Sequence, residues 1–269
     1  MQEQTMQEQT IQEQTIQQSE KEQALMLVAR AGEILVKSGA EIFRVETTME
    51  HMAKSLHVES LKTYVIANGI FVTSGGETEP LQARITSVQT GDTDLGKIEA
   101  VNELSREMDT RSFTVHEVKE RLDQIEAMGE YPLPILLGAY GMGAGCFCYA
   151  VGGRLEESAV AFVIGVILGI FFCLMSGWKK KAKPLKTILG SMLVTLLSLC
   201  FYACGFGQNT DLIIIGGLMP MIPGVSFVNA VRDFVESDYV SGMIRLMDVL
   251  LTVVCMAIGV SAVWELHIF

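Results

Sequence analysis

The residues best suited to chemistry lie in an apolar stretch near residue 220, where polar side chains follow two prolines. Pro220 and Pro223 stand three residues apart, and each removes a backbone amide donor and interrupts a helix. Ser226, Asn229 and Asp233 follow at spacings of three and four, which place them on one helical face. The pattern predicts a broken membrane helix with a polar site on its second half, although a proline-kinked packing helix has the same spacing.

Ionisable side chains in apolar segments are functional candidates, because a membrane makes them costly to keep. Asp233 is one, although it could already lie at the membrane interface, and Asp248 in the last apolar segment is another. Asp248 could carry a proton or pair with Arg245 one turn earlier. We therefore predict proton coupling at Asp233 or Asp248. A helix that begins after such a break has the positive end of its dipole inside the apolar segment, where it attracts anionic groups. We therefore predict that the substrate site consists of the break and the polar face that follows it: Pro220, Pro223, Gly224, Ser226 and Asn229.

A second polar stripe runs along the apolar segment 186–206. Its hydroxyl side chains recur every three or four residues and so share one face. Such hydroxyls can bond back to their own helix, hold helices together or line a path. Packing and path lining both remain open, and Thr195 and Ser198 are the predicted path-lining residues.

Five apolar segments position these residues, at 133–153, 158–176, 186–206, 211–231 and 243–264. Each is close to the roughly 20 residues that cross a bilayer as a helix. We predict that residues 131–269 form a bundle of about five transmembrane helices. Close helix packing is predicted there from two pairs of small residues spaced four apart: Gly141 with Gly145, and Gly165 with Gly169.

Residues 20–130 predict a small soluble α+β domain. Apolar residues at helical spacing indicate a helix that ends at Gly39 and a second helix from Ile42. Asn68-Gly69 between two β-rich runs predicts a hairpin. Residues 81–88 indicate another strand, and 94–108 and 114–128 indicate two further helices. Residues 1–19 largely repeat Met-Gln-Glu-Gln-Thr, and we predict a disordered low-complexity tail.

The charge pattern bears on partners and orientation. The formal net charge is −11, and the acidic excess belongs to the first half, which argues against nucleic acid. Lysines cluster in the loop after the second apolar segment, at 179–186, and positively charged loops stay in the cytoplasm. We predict a multi-pass protein of the cytoplasmic membrane, with the N-terminus and soluble domain inside and the C-terminus outside.

The soluble half carries no recognisable catalytic motif. It has no phosphate-binding glycine loop, no nucleophile elbow and no His/Cys pattern with metal-ligand spacing. We therefore predict that the protein is not an enzyme and uses no cofactor and no metal.

Two motifs give the chain a family resemblance. Residues 38–49, Ser-Gly-Ala-Glu-Ile-Phe-Arg-Val-Glu-Thr-Thr-Met, and residues 223–233, Pro-Gly-Val-Ser-Phe-Val-Asn-Ala-Val-Arg-Asp, resemble the threonine/serine exporter family in its split, two-subunit form. The layout of a soluble domain plus about five helices agrees. The resemblance marks Gly39, Arg44 and Glu46 as motif residues of the soluble domain. Full-length members have about twice as many spans, so the resemblance implies that a smaller membrane subunit supplies the rest.

The resemblance implies secondary export of threonine and serine. Some split members are associated instead with C4-dicarboxylates such as succinate, and both substrates are small carboxylates. The third hypothesis is a membrane-anchored sensor or scaffold, whose helices serve only as an anchor; neither the polar stripes nor the proline break is needed for that role. The expected partners are the second subunit, membrane lipids and the small substrate, and a homo-oligomer is left open.

Overall fold

The computed structural model describes residues 2–58, 60–75, 81–89, 91, 93–129, 131–175, 177 and 183–267, without the side chains of 2–17 and 266–267. The chain divides into two compact units. The first comprises Met1–Gly129 with Val225–Leu246, and the second comprises Glu130–Gly224 with Met247–Phe269. The first unit therefore includes a late segment of the chain, which the sequence placed with the membrane helices.

The first unit is a mixed α+β structure, as predicted. Its early elements are the helices α1 (Gln2–Lys37) and α2 (Ile42–Ser55), the strands β1 (Lys62–Ile66), β2 (Gly69–Ser74) and β3 (Gln82–Ser87), and the helices α3 (Leu95–Thr110) and α4 (Val115–Glu126). The late segment adds most of α9 (Gly224–Val235) and the start of α10 (Tyr239–His267).

The first helix differs from the predicted tail, because α1 begins at Gln2 and carries the repeat in helical form. Gln, Glu and Met have high helix propensity, and the repeat joins directly onto an apolar helix that packs into the core. The C-terminal end of α1 matches the predicted helix end at Gly39. Gly39 adopts a left-handed φ of 79°, and the amide of Ala40 donates to the carbonyl of Leu35 at 3.0 Å. This arrangement is a Schellman cap, in which glycine avoids the cost of positive φ.

The three strands form an antiparallel sheet in the order β1-β2-β3. Val65, Ile70 and Val72 are buried in the core with residues of α1 to α4. The predicted hairpin is present, but Ile66 pairs with Gly69, so the two-residue loop is Ala67-Asn68. The register keeps the apolar side chains on the buried face, and a shift of one residue would expose them.

The second unit is helical. It contains α5 (Leu133–Ala150), α6 (Leu155–Leu174), α7 (Lys183–Ala203), α8 (Thr210–Leu218), a 3-10 turn at Met219–Met221 and the later part of α10. Within the described ranges, four helices are long and apolar enough to cross a membrane, or five if the pair broken between α8 and α9 counts as one span. This confirms the prediction of about five apolar helices. Lys179, Lys180 and Lys181, which carry the orientation argument, lie outside the described residues.

Glycines bring the helices of this unit into close contact. At Gly165 of α6, a Cβ would lie 2.5 Å from the carbonyl oxygen of Tyr140 and 2.7 Å from the Cβ of Ala144, both on α5. At Gly216 of α8, a Cβ would lie 2.9 Å from the carbonyl oxygen of Ala144. The predicted close packing through small residues is therefore present between α5 and α6.

Candidate functional site

Two segments that are about 190 residues apart in sequence meet inside the first unit. The side-chain amide of Asn229 on α9 donates to the carbonyl of Gly39 at 2.9 Å. The guanidinium of Arg245 on α10 donates to the carbonyl of Ala40 at 2.6 Å. The Schellman cap turns the chain sharply here. These two carbonyls therefore lie outside the helical hydrogen-bond pattern and accept hydrogen bonds from side chains. The two sequence motifs thus form one structural feature, which we call the clasp: the α1–α2 turn with Asn229, Asp233 and Arg245.

A buried ion pair lies at the centre of the clasp. Asp233 Oδ2 lies 3.1 Å from Arg245 Nε, and the two side chains are 4% and 7% exposed. The Asp233 carboxylate also interacts with the backbone amide of Ile42, the first residue of α2. A carboxylate at a helix N-terminus is stabilised by the helix dipole. Each buried charge therefore depends on the other, since an unpaired charge in this position is costly.

A second group of charges lies at the rim of the clasp. Glu41 pairs through one oxygen with Arg44 Nε at 2.9 Å and through the other with Arg232. The Glu41 side chain is 22% exposed, whereas that of Arg44 is 65% exposed. The carboxylate is therefore held between two guanidinium groups, and one of these has most of its surface in contact with solvent.

A cavity of about 200 Å³ opens beside these charges. Its polar lining comes from Glu41, Arg44, Asn102 and Asn229, and apolar side chains such as Leu35 and Ile98 cover the rest. Asn102 on α3 is fixed by Thr48, whose hydroxyl oxygen lies 3.1 Å from the Asn102 amide oxygen. Within the described residues, no three His, Cys, Asp or Glu side chains are placed to hold a metal ion. The polar side chains of the cavity can therefore form ion pairs and hydrogen bonds with a small polar molecule.

The predicted substrate residues lie in different surroundings. Asn229 is buried, while Ser226, one turn earlier, is half-buried and Gly224 is exposed. Pro220 and Pro223 are half-buried at the break between α8 and α9.

The two predicted proton-coupling residues also differ. Asp233 is buried, and it is the partner of Arg245. Asp248 is exposed on α10, and its backbone carbonyl accepts a bond from Thr252 at 2.8 Å. The alternative in which Arg245 pairs with Asp248 gives way to the longer-range pair, because Asp233 lies beside Arg245 in a buried position.

The hydroxyl stripe of α7 is internal to the second unit. Thr195 and Ser198 are fully buried, and their hydroxyls donate to the carbonyls of Ser191 at 2.9 Å and Val194 at 2.8 Å. Ser191 and Thr187 bond back in the same way. This geometry satisfies the hydroxyls within their own helix and suits packing. The path-lining role of Thr195 and Ser198 stays a prediction.

The motif residue Glu46 has a structural contact. Its carboxylate accepts a hydrogen bond from the backbone amide of Val65 on β1 at 3.0 Å. Burial raises the pKa of Glu46 above its usual range, although this hydrogen bond acts in the opposite direction. Because the folded protein binds the proton more tightly than the unfolded chain, this group favours folding at low pH. That contribution is lost as pH rises through the pKa of the folded state.

Replacing Glu46 with Gln tests this relation. The Gln amide oxygen still accepts from Val65, and no charge is buried, so we expect Glu46→Gln to raise the melting temperature at pH 7.5. The gain should shrink towards zero below about pH 4, where the carboxyl is largely protonated in both states. Size-exclusion chromatography of the heated, detergent-solubilised chain measures this. Glu103→Gln on the exposed face of α3 is the control, and an equal gain at both pH values would contradict the argument.

Several residues of the site were not identified from sequence. Glu41 and Asn102 line the cavity, and Arg245 joins the clasp. The sequence carried one signal for Arg245, namely an arginine inside an apolar segment, but its partner could not be identified without the fold. Nothing in the sequence around Asn102 distinguishes it from an ordinary polar residue on an amphipathic helix.

Comparison with known proteins places the chain among transport proteins. A family model described as "Putative threonine/serine exporter" matches residues 26–267. The chain is 20% identical to the "Probable succinate transporter subunit YjjP" of Klebsiella aerogenes, with 90% of this chain and 93% of that protein covered. It is 24% identical to the "Threonine/serine exporter" of Corynebacterium glutamicum and 21% identical to the "Probable threonine/serine exporter" of Mycobacterium tuberculosis.

The coverage of these relatives differs. The alignments cover 87% and 88% of this chain but only 49% and 45% of the Corynebacterium and Mycobacterium proteins. The chain therefore spans about half the length of these two exporters and nearly all of the Klebsiella subunit. No solved structure matches the chain.

Proposed function

The chain belongs to the threonine/serine exporter family, and we propose that it is one subunit of a secondary transporter that exports a small amino acid across the cytoplasmic membrane. The observation that carries this proposal is the clasp, in which a buried carboxylate–guanidinium pair joins two helices of apolar character to the turn between α1 and α2. Buried charge is costly, and in membrane proteins it marks substrate and ion pathways. A membrane anchor has no need of it.

We propose that a second, smaller membrane subunit completes the transporter. The Klebsiella relative of nearly equal length is named as a subunit, and the chain spans only about half of the two longer exporters. The part of those proteins that lies outside the alignment is what a partner would supply in this proposal. In this proposal the N-terminus and the domain at 20–130 face the cytoplasm and the C-terminus faces outside, as the lysines of the loop at 179–186 indicate.

The proposed roles follow from the site. Asn229 lines the cavity and contacts substrate, with Ser226 one turn away on the same helix. Asp233 couples proton movement to export, because its charge is buried beside Arg245 and can be neutralised by a proton. Asp248 is the second coupling candidate. Threonine or serine is the proposed substrate, and succinate is the alternative that the Klebsiella relative's name supports.

Efflux from loaded cells tests the proposal. Cells without their own exporters would express the chain alone or with a candidate small membrane protein selected by co-purification with the chain. They would be loaded with a threonine-containing dipeptide or with succinate, and the medium would be assayed over time. We expect partner-dependent release of threonine several-fold above cells with an empty vector. Release of succinate alone would contradict the amino-acid assignment, and no release of either, with both proteins in the membrane, would contradict the exporter function.

A further inference from the structure

We infer that the cavity beside the clasp binds a free zwitterion, with Arg44 paired to the ligand's carboxylate and Glu41 paired to its ammonium group. This inference rests on the proposed function and assigns its substrate-recognition residues. Both charged groups line the cavity, and both lie within the first unit. They are 2.9 Å apart, so the structure shows them paired with each other.

The ion pair between these residues can open for a ligand. Glu41 is 22% exposed and keeps Arg232 as a partner when the pair opens, and the other member of the pair, Arg44, is 65% exposed and already largely hydrated. Its guanidinium can therefore exchange the Glu41 carboxylate for the carboxylate of a ligand at little cost. Arg and carboxylate groups form strong two-point hydrogen bonds when their planes align. Glu41 keeps Arg232 as a partner and gains the ligand's ammonium group.

The remaining lining suits a small polar molecule with a short aliphatic part. Asn102 and Asn229 offer amide groups, and Leu35 and Ile98 offer an apolar wall. A volume of about 200 Å³ corresponds to about seven water molecules. That is the size range of a small amino acid.

Charge distinguishes a zwitterion from a dicarboxylate in this cavity. A dicarboxylate of similar length could place one carboxylate on Arg44, but its other carboxylate would face Glu41. Two like charges in contact are unfavourable, and this kind of repulsion is how binding sites reject a competing ligand. Glu41 is therefore the residue that selects against dicarboxylates.

Ligand analogues matched to single substitutions test this assignment. Binding to the detergent-solubilised full chain would be measured by calorimetry for L-threonine, N-acetyl-L-threonine, L-threoninamide and succinate. The acetyl derivative lacks the ammonium group, and the amide lacks the carboxylate. For the wild-type chain we expect each of these two analogues, and succinate, to bind at least tenfold more weakly than threonine. Glu41→Gln should remove the preference over N-acetyl-threonine, and Arg44→Gln should remove the preference over threoninamide.

The pairing of residue with functional group is the decisive result. Arg232→Gln is the control, because it removes the other partner of Glu41 without removing a cavity side chain, and it should retain both preferences. Unchanged preferences in Glu41→Gln and Arg44→Gln, or no threonine binding by a folded wild-type chain at millimolar concentration, would overturn the inference. Threonine efflux that persists with an unaltered KM in both variants would overturn the site while leaving the exporter function standing.

Discussion

Replacing Asp233 with Asn is expected to lower the free energy of unfolding by about 3–5 kcal/mol and to abolish export. The substitution leaves the guanidinium of Arg245, which is 7% exposed, without its counter-charge. Removing one partner of a buried ion pair costs this much because the remaining charge is desolvated and uncompensated. Arg245 keeps its bond to the Ala40 carbonyl, which reduces the loss without replacing the charge.

The double variant Asp233→Asn with Arg245→Met separates stability from transport. Both charges are then absent: Asn is neutral and still offers an oxygen to the Ile42 amide, and Met fills most of the volume of Arg245 without a charge. No buried charge is left uncompensated, which removes the main cost of the single substitution. We expect the double variant to recover most of the lost stability and to remain inactive in efflux, since no group is left at this position to carry a proton. Urea unfolding of the solubilised chain and efflux normalised to the amount of protein in the membrane are the two measurements.

Asp123→Asn is the matched control for this pair. Asp123 forms an ion pair with Arg30 at 2.6 Å, but its side chain is 52% exposed. Exposed pairs contribute about 0–1 kcal/mol, so the same chemical change should have a small effect there. Wild-type stability in Asp233→Asn would contradict the buried-pair argument, and export by the double variant would contradict proton coupling at Asp233.

Local sequence signals predicted much of the fold. The end of α1 at Gly39, the apolar helices and the hairpin each depend on a few neighbouring residues, and each is present in the structure. The exact hairpin loop was one residue off because the buried face of the sheet, and not the Asn-Gly pair alone, fixes its register. The repeat at the N-terminus was predicted to be disordered from its composition alone. Composition takes no account of the helix that continues from the repeat.

The candidate site was only half predictable. Helical spacing brought Asn229 and Asp233 to one face, and the structure shows both buried on α9. Spacing could not show that this face meets the α1–α2 turn, because contacts between residues about 190 apart in sequence depend on the whole fold. For the same reason the nearest acidic residue in sequence, Asp248, was weighed as a partner of Arg245, while the structure pairs Arg245 with Asp233.

Replacing Gly165 with Ala is expected to destabilise the second unit by about 1–3 kcal/mol, the usual cost of overpacking. An added Cβ would lie 2.5 Å from the carbonyl oxygen of Tyr140, and a backbone group cannot rotate away as a flexible side chain can. Gly138→Ala on α5 is the control, because among the described residues no atom outside its own stretch of helix lies within 4 Å of a Cβ there. Alanine in a helix is favoured over glycine by about 1 kcal/mol, so this control should be neutral or stabilising.

The comparison between the two glycine variants tests whether α5 and α6 pack through their backbones. The melting temperature of the solubilised chain should fall for Gly165→Ala and stay level or rise for Gly138→Ala. A fall in both would point to a general sensitivity of the helices to added volume and would contradict a specific contact at Gly165. Because close packing without space for a side chain is the main attraction between membrane helices, this contact should matter as much for assembly of the bundle as for its stability.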